Sequence, residues 1–121
     1  MKVILDSNAL MIPGQFGVDV FAELERLGYD QFLIPRPVIK ELETLQAHAK
    51  GKDKIAASVA LLLMSRCKII ESRKEADDAI IQMAKDMNVA VLTNDAVLRK
   101  QLKENGITTI YLRQKKRLSV G

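Results

Sequence analysis

The chain contains little of what several protein classes require. It has one cysteine, one histidine and no tryptophan, and aromatic residues make up 4% of its 121 residues. A single cysteine can form neither an internal disulfide nor a cysteine-based zinc site, which excludes the disulfide-stabilised secreted class and makes a reducing compartment the expectation. Few aromatic rings also disfavour a module that binds nucleic acid mainly by stacking on bases.

Long apolar segments are absent as well. No run approaches the roughly 20 apolar residues of a membrane span, and the opening residues MKVILD form a strand pattern without the apolar region of a signal peptide. We therefore predict a cytoplasmic protein with no membrane contact. With 48% hydrophobic and 28% charged residues, the composition is that of one globular domain.

The excess of positive charge lies near the end of the chain. The formal net charge is +4, and residues 113–117, RQKKR, contribute four cations, so the remainder is neutral. Such a run either binds a polyanion or is simply a solvated end of the chain. We therefore predict one globular domain over residues 1–112, followed by a basic C-terminal tail over residues 113–121.

Hydrophobic periodicity alternates between two patterns along the chain. Short apolar runs predict strands, and intervening segments with a period of 3.6 residues predict helices. The predicted strands are 2–5, 32–34, 68–70, 89–92 and 107–112, and the predicted helices are 18–27, one entered at Pro37, 53–65, 75–87 and 95–104. This alternation indicates an α/β fold, a three-layer α/β/α sandwich with a mostly parallel central sheet of about five strands.

Acidic residues follow two of the predicted strands. Asp6 ends the first strand and Asp95 follows the fourth, at the edge where parallel sheets bind ligands. Each residue taken alone could equally be the N-cap of the next helix. Further acids stand near helix starts, and carboxylates that converge there would repel one another unless a hard divalent cation with oxygen ligands held them.

A helical wheel separates one pair of these acids but not another. Asp77 lies roughly 60° from the centre of the apolar face of its helix and Asp78 roughly 160°, so Asp77 borders the packed side. Glu41 and Glu43 both lie roughly 100° from the apolar face of their helix, on opposite flanks. The wheel therefore leaves the choice between the two glutamates open.

Four segments resemble, in order, the PIN domain family of metal-dependent ribonucleases, and in particular its short, single-domain archaeal and bacterial members. They are VILDSNAL (3–10), PVIKEL (37–42), EADDAIIQMA (75–84) and VLTNDAVLR (91–99). Each segment is weakly diagnostic alone, but four in order at strand ends and helix starts form a specific pattern. The resemblance covers nearly the whole chain.

The resemblance implies a set of site residues. The catalytic acids would be Asp6, Glu41, Asp77 and Asp95, of which Asp6, Asp77 and Asp95 would bind metal; the substrate-binding residues would be Ser7, Asn8, Thr93, Asn94 and Arg99. Ser7 stands where the family often has threonine, Asn8 would hold the loop after the first strand, and Thr93 with Asn94 would orient Asp95. Glu41 is chosen over Glu43 only because the family's glutamate precedes a leucine.

The chemistry implied by the resemblance is hydrolysis of an RNA phosphodiester by a water bound to Mg²⁺ or Mn²⁺. The expected partners are RNA, single-stranded or structured, and a small antitoxin protein, since many short family members are toxins of toxin–antitoxin pairs while others process or degrade RNA.

The segment 55–64 is apolar over more than one helical face, which predicts a homodimer.

Two other functions fit parts of the pattern. A non-catalytic RNA-binding or assembly module on the same fold would use the basic residues but leaves the acidic cluster unexplained. A phosphoryl-accepting receiver domain has a similar alternation of strands and helices. It would require an acid pair near its start, where this chain has only Asp6.

Overall fold

A computed structural model describes all residues, Met1–Gly121, as six strands and six α-helices. The strands are β1 (Lys2–Leu5), β2 (Gln31–Pro35), β3 (Lys68–Ile70), β4 (Ala90–Leu92), β5 (Thr109–Arg113) and β6 (Arg117–Val120). The helices are α1 (Ser7–Phe16), α2 (Val20–Arg26), α3 (Arg36–His48), α4 (Gly51–Leu62), α5 (Ala76–Met87) and α6 (Ala96–Glu104), with a 3₁₀ helix at Leu63–Arg66. None of the helices combines the length and the apolar character needed to cross a bilayer.

The strands form one sheet in the order β3-β2-β1-β4-β5-β6. The first five strands are parallel, and β6 pairs antiparallel with β5. At the centre, Leu5 of β1 pairs with Leu92 of β4, so the residues that follow these two strands emerge side by side at the carboxyl edge. The predicted α/β class with a mostly parallel sheet is confirmed.

A sixth strand adds to the about five that were predicted, and it lies in the segment that was predicted as a basic tail. Part of the segment 113–121 turns back after β5 and completes the sheet as β6. Side chains of α2 hold it there: Arg26 donates to the carbonyl oxygen of Leu118 at 2.8 Å, and the Leu118 amide donates to Glu23 at 3.0 Å. The sequence did not indicate this hairpin because its turn lacks the Asn-Gly pattern that normally marks one.

Helix α1 was not predicted from the sequence. It contains Pro13 and Gly14, residues that usually interrupt helices. The glycine has a packing reason, because a Cβ at this position would lie 2.7 Å from the Cα of Ala56 in α4. Ser7 and Asn8 therefore lie in the first turn of a helix that follows β1 directly after Asp6.

Helix α4 buries one face and exposes another. Its small residues Ala56, Ala57 and Ala60 are fully buried, whereas Ile55 and Leu62 are 61% and 80% exposed. Two such side chains seven residues apart lie on the same helical face. The apolar surface that motivated the homodimer is therefore present, and homodimerisation stays a prediction.

Candidate active site

The candidate site is built around Asp6, the one buried carboxylate of the chain, which is 4% exposed. Its Oδ1 accepts from the Ser7 amide at 2.8 Å, so Asp6 is the N-cap of α1. Its Oδ2 accepts from the Thr93 hydroxyl at 2.8 Å and from the Asn8 side-chain amide at 2.9 Å. Burial raises the pKa of Asp6, the three hydrogen bonds oppose that rise, and the nearby charge of Asp95 adds to it.

Thr93 joins the ends of β1 and β4. Its fully buried hydroxyl donates to Asp6 and accepts from the Asp95 amide at 3.1 Å. Asn8 strengthens the connection, because its Oδ1 accepts from the Asn94 amide at 2.9 Å. The predicted substrate-binding residues Asn8 and Thr93 therefore position the two aspartates in this structure.

Replacing Thr93 with valine tests this positioning role. Thr93→Val keeps the volume of the side chain but removes a hydroxyl that bonds Asp6 and Asp95, and it leaves the buried carboxylate with one donor fewer. We expect the free energy of unfolding to fall by about 1–3 kcal/mol. Chemical denaturation measures the free energy of unfolding. The control Thr93→Ser retains the hydroxyl and is expected to recover most of the lost stability. Equal stability of the valine and serine variants would contradict the positioning role of Thr93.

Asp95 is both an N-cap and a member of the acidic site. Its Oδ1 accepts from the amides of Val97 and Leu98 at 2.9 and 3.1 Å, while its Oδ2 accepts no hydrogen bond from the chain. The sequence left open whether Asp95 is a helix N-cap or a site residue, and the structure allows both roles at once. One carboxylate oxygen caps α6 and the other is free to bind a ligand.

Glu41 and Asp77 interact electrostatically with the aspartates at the strand ends. Partial burial raises the pKa of Glu41, and the charges of Asp6 and Asp77 raise it further, against an opposing contact with Ser7. Burial likewise raises the pKa of Asp77, with contributions from Asp6 and Asp95. The structure thus brings the four predicted acids, Asp6, Glu41, Asp77 and Asp95, to one edge of the sheet; we call them the acidic cluster.

The structure distinguishes the two members of each acid pair, including Glu41 and Glu43, which the helical wheel could not separate. Glu41 interacts with the acidic cluster, whereas Glu43 lies near Arg36 and contributes to the raised pKa of its guanidinium. Asp78 only adds to the pKa of its neighbour Asp77 and has no interaction with Asp6. The glutamate chosen by resemblance is therefore the one that reaches the cluster.

No member of the acidic cluster forms an ion pair, whereas Glu23, Glu25 and Glu71 pair with arginines and Asp30 pairs with the N-terminal ammonium of Met1. Oxygen donors with uncompensated negative charge are the chemistry that a hard cation such as Mg²⁺ prefers. In this structure no three of the His, Cys, Asp and Glu side chains are close enough to hold a metal ion directly. The donor set therefore fits Mg²⁺ or Mn²⁺ in kind, with bridging waters completing the coordination.

A basic groove adjoins the acidic cluster. It has a volume of about 580 Å³, lies between α3 and the segment before α5, and includes Ser7 and Glu41 at one end. Lys40, Arg73 and Lys74 line it. Sequence reasoning missed Arg73 and Lys74, although these two cations directly precede the 75–84 segment that contains Asp77.

Arg99 lies one turn after Asp95, and its side chain packs against β5. Its guanidinium stacks on Tyr111 of β5 at 4.1 Å, and its buried Nε has no hydrogen-bond partner. Asn94, also predicted to bind substrate, accepts from the Leu112 amide at 2.8 Å and so ties β4 to β5. In this structure both residues contact β5.

Comparisons with known proteins agree with this arrangement. A family model described as a PIN like domain matches residues 3–115. Ribonuclease VapC9 of Archaeoglobus fulgidus is 35% identical over 97% of this chain and 87% of its own length, and Ribonuclease VapC4 of Methanocaldococcus jannaschii is 36% identical over 95% and 92%. Among solved structures, the PIN domain endonuclease Utp24 matches with a TM-score of 0.78 and 25% identity over 98% of this chain and 90% of that one.

Proposed function

The chain belongs to the PIN-like domain family, and on that premise we propose that it is a metal-dependent endoribonuclease that hydrolyses RNA phosphodiester bonds. The observation that carries the proposal is the acidic cluster, in which four carboxylates influence one another and none pairs with a cation. Relatives named ribonucleases over nearly the full chain support RNA as the substrate.

Asp6, Asp77 and Asp95 would hold Mg²⁺ or Mn²⁺ partly through bridging waters, and Glu41 would bind at the same edge through water. When bound here, a metal ion would lower the pKa of a bound water and neutralise charge on the phosphate oxygens. The chain's own residues prepare the site. Asp6 is fixed in place by Thr93 and Asn8, and Asp95 presents its free Oδ2.

The basic groove would receive the RNA backbone next to the acidic cluster. Lys40, Arg73 and Lys74 are exposed and line the groove that begins at Ser7 and Glu41. Cations at this place offset the repulsion between carboxylates and phosphates. Contacts of this kind fix the position of the strand without reading its sequence, so we expect affinity to depend strongly on salt.

Cleavage of a single-stranded RNA by the purified protein tests the proposal. We expect cleavage in Mg²⁺ or Mn²⁺ and none in EDTA, because the uncompensated acids repel phosphate unless a cation is bound. Gel analysis of a labelled RNA measures both. Full cleavage in EDTA would contradict metal dependence, and RNA binding without any cleavage would favour the non-catalytic RNA-binding or assembly module.

Glu41 and Glu43 provide matched variants for the same assay. Glu41→Gln removes a charge that interacts with Asp6, whereas Glu43→Gln removes one that faces Arg36. We expect cleavage to fall at least about tenfold in the first variant and to stay near normal in the second. Equal activity of the two variants would remove Glu41 from the site.

The biological context of the activity is also part of the proposal. Relatives named VapC are consistent with a toxin neutralised by a small antitoxin, and a role in RNA processing or decay is the alternative. The exposed apolar residues Ile55 and Leu62 of α4 are the surface through which a homodimer would form.

A further inference from the structure

We propose that the turn between β5 and β6, together with Phe16, is a second contact for the RNA substrate beside the acidic cluster. We call residues 113–117 the basic turn. Its cations would bind phosphates of a single-stranded segment, and the Phe16 ring would stack on a base of that segment. The inference rests on the proposed ribonuclease function and extends it to the path of the RNA.

The fold places the basic turn at the same edge of the sheet as the acidic cluster. β5 runs parallel to β4, and the Leu112 amide donates to Oδ1 of Asn94 at 2.8 Å, so the end of β5 is level with the residues after β4. With ~3.3 Å per residue and ~4.8 Å between strands, the turn lies ~10 Å beyond and ~10 Å beside Asp6. One RNA strand can reach both places.

The cations of the basic turn are available for a polyanion. Arg113, Lys115, Lys116 and Arg117 are all exposed, and none forms an ion pair with an acidic side chain. Together they equal the whole net charge of +4. Since the acidic cluster itself repels phosphate, cations that attract RNA must lie outside it but close to it.

Phe16 is the aromatic ring of this chain that is open to solvent, with 40% of the residue exposed. The ammonium of Lys115 lies 5.7 Å from its centroid. The other rings are buried or, for Tyr111, covered by Arg99: Phe21, Tyr29, Phe32 and Tyr111. An exposed ring next to unpaired cations is the combination by which proteins bind single-stranded nucleic acid.

The backbone of the basic turn adds a separate argument. Gln114 and Lys115 both have left-handed backbones, with φ of 54° and 57°, and the Lys116 amide donates to the Arg113 carbonyl at 3.1 Å. Asn-Gly is the favoured pair where two consecutive residues of a hairpin turn are left-handed, because other residues are strained there. The chain instead carries a lysine at a position where glycine would be more stable, and so places a cation at the tip.

The test compares two double variants with equal loss of charge. Lys115→Gly with Lys116→Gln removes two cations from the basic turn, and Lys85→Gln with Lys103→Gln removes two from the last turns of α5 and α6, at the opposite end of the molecule. Binding of a single-stranded RNA in Mg²⁺ is measured against salt concentration, with Asp95→Asn added to each protein to prevent cleavage. We expect the slope of log K against log salt to shrink by about 1.4 in the turn variant and to change little in the control.

A third variant, Phe16→Leu, separates stacking from charge. We expect it to weaken RNA binding by about tenfold without changing the salt slope. Because glycine suits the left-handed backbone, the turn variant should melt no lower than the unaltered protein, so its loss of binding is not a loss of fold. An equal salt slope in the turn and control variants would overturn the basic turn as an RNA contact, even if cleavage is normal. Absence of Mg²⁺-dependent cleavage by the unaltered protein would instead overturn the ribonuclease function itself.

Discussion

Asp95→Asn is expected to lower the rate of RNA cleavage by at least about 100-fold while leaving the fold intact. The carboxylate uses Oδ1 to cap α6 and leaves Oδ2 without a hydrogen bond from the chain. Asparagine retains the capping oxygen and replaces only the free one with an NH₂ group, which has no lone pair to offer a divalent cation. Initial rates on a labelled single-stranded RNA measure the loss, and circular dichroism verifies the fold.

Asp19 supplies a matched control for this substitution. It caps α2 in the same way, with Oδ1 accepting from the amides of Phe21 and Ala22 at 3.1 Å, and it contributes to no pKa shift in the acidic cluster. Asp19→Asn therefore makes the same chemical change at a helix cap outside the cluster. We expect full cleavage from this variant, and comparable activity of the two asparagine variants would exclude Asp95 from the catalytic site.

Mg²⁺ is expected to raise the melting temperature of the unaltered protein. A cation that binds only the folded chain adds about 2.7 kcal/mol at one hundred times its Kd, which for a domain of this size corresponds to about 10 °C. The shift should be preserved in Asp19→Asn and largely lost in Asp95→Asn. Differential scanning calorimetry with and without EDTA measures the melting temperature. No change in melting temperature on adding Mg²⁺ or Mn²⁺ would contradict metal binding by the acidic cluster.

In EDTA the same pair of variants should report the repulsion within the acidic cluster. Burial and the charge of Asp95 raise the folded-state pKa of Asp6. Ionised Asp6 therefore lowers the stability of the fold at neutral pH, and this loss is recovered as the pH falls through the raised pKa. At pH 7 we therefore expect Asp95→Asn to be more stable than Asp19→Asn, since only the former removes a neighbouring charge. The difference should shrink as Asp6 becomes protonated.

Much of the fold could be predicted from local patterns. Five of the strands and five of the helices lie where short apolar runs and 3.6-residue periodicity predicted them, because each pattern reflects which residues face the core. The two omissions have a common cause. Helix α1 contains Pro13 and Gly14, and β6 follows a turn without Asn or Gly, so in both segments tertiary contacts outweigh an unfavourable local preference.

The site could be predicted in part for a similar reason. Acids that follow parallel strands meet at one edge, which made Asp6 and Asp95 candidates before any coordinates were known. Arg73 and Lys74 were missed because they lie in an irregular segment before α5, where no periodic pattern tells which way a side chain points. The groove they line exists only once α3 packs beside that segment.

The sequence by itself determined the class of fold, the alternation of most strands and helices, and the position of Asp6 and Asp95 at the carboxyl edge, since these depend on short-range periodicity and on the geometry of parallel strands. Only the tertiary structure decided that Glu41 and not Glu43 faces the cluster, that Asp6 is buried beneath Thr93, and that the RQKKR segment is a hairpin turn beside the site instead of a tail. Those outcomes depend on contacts between residues distant in the chain, such as Leu118 with Arg26 and Asn94 with Leu112. Local sequence patterns do not indicate which residues distant in the chain will be in contact.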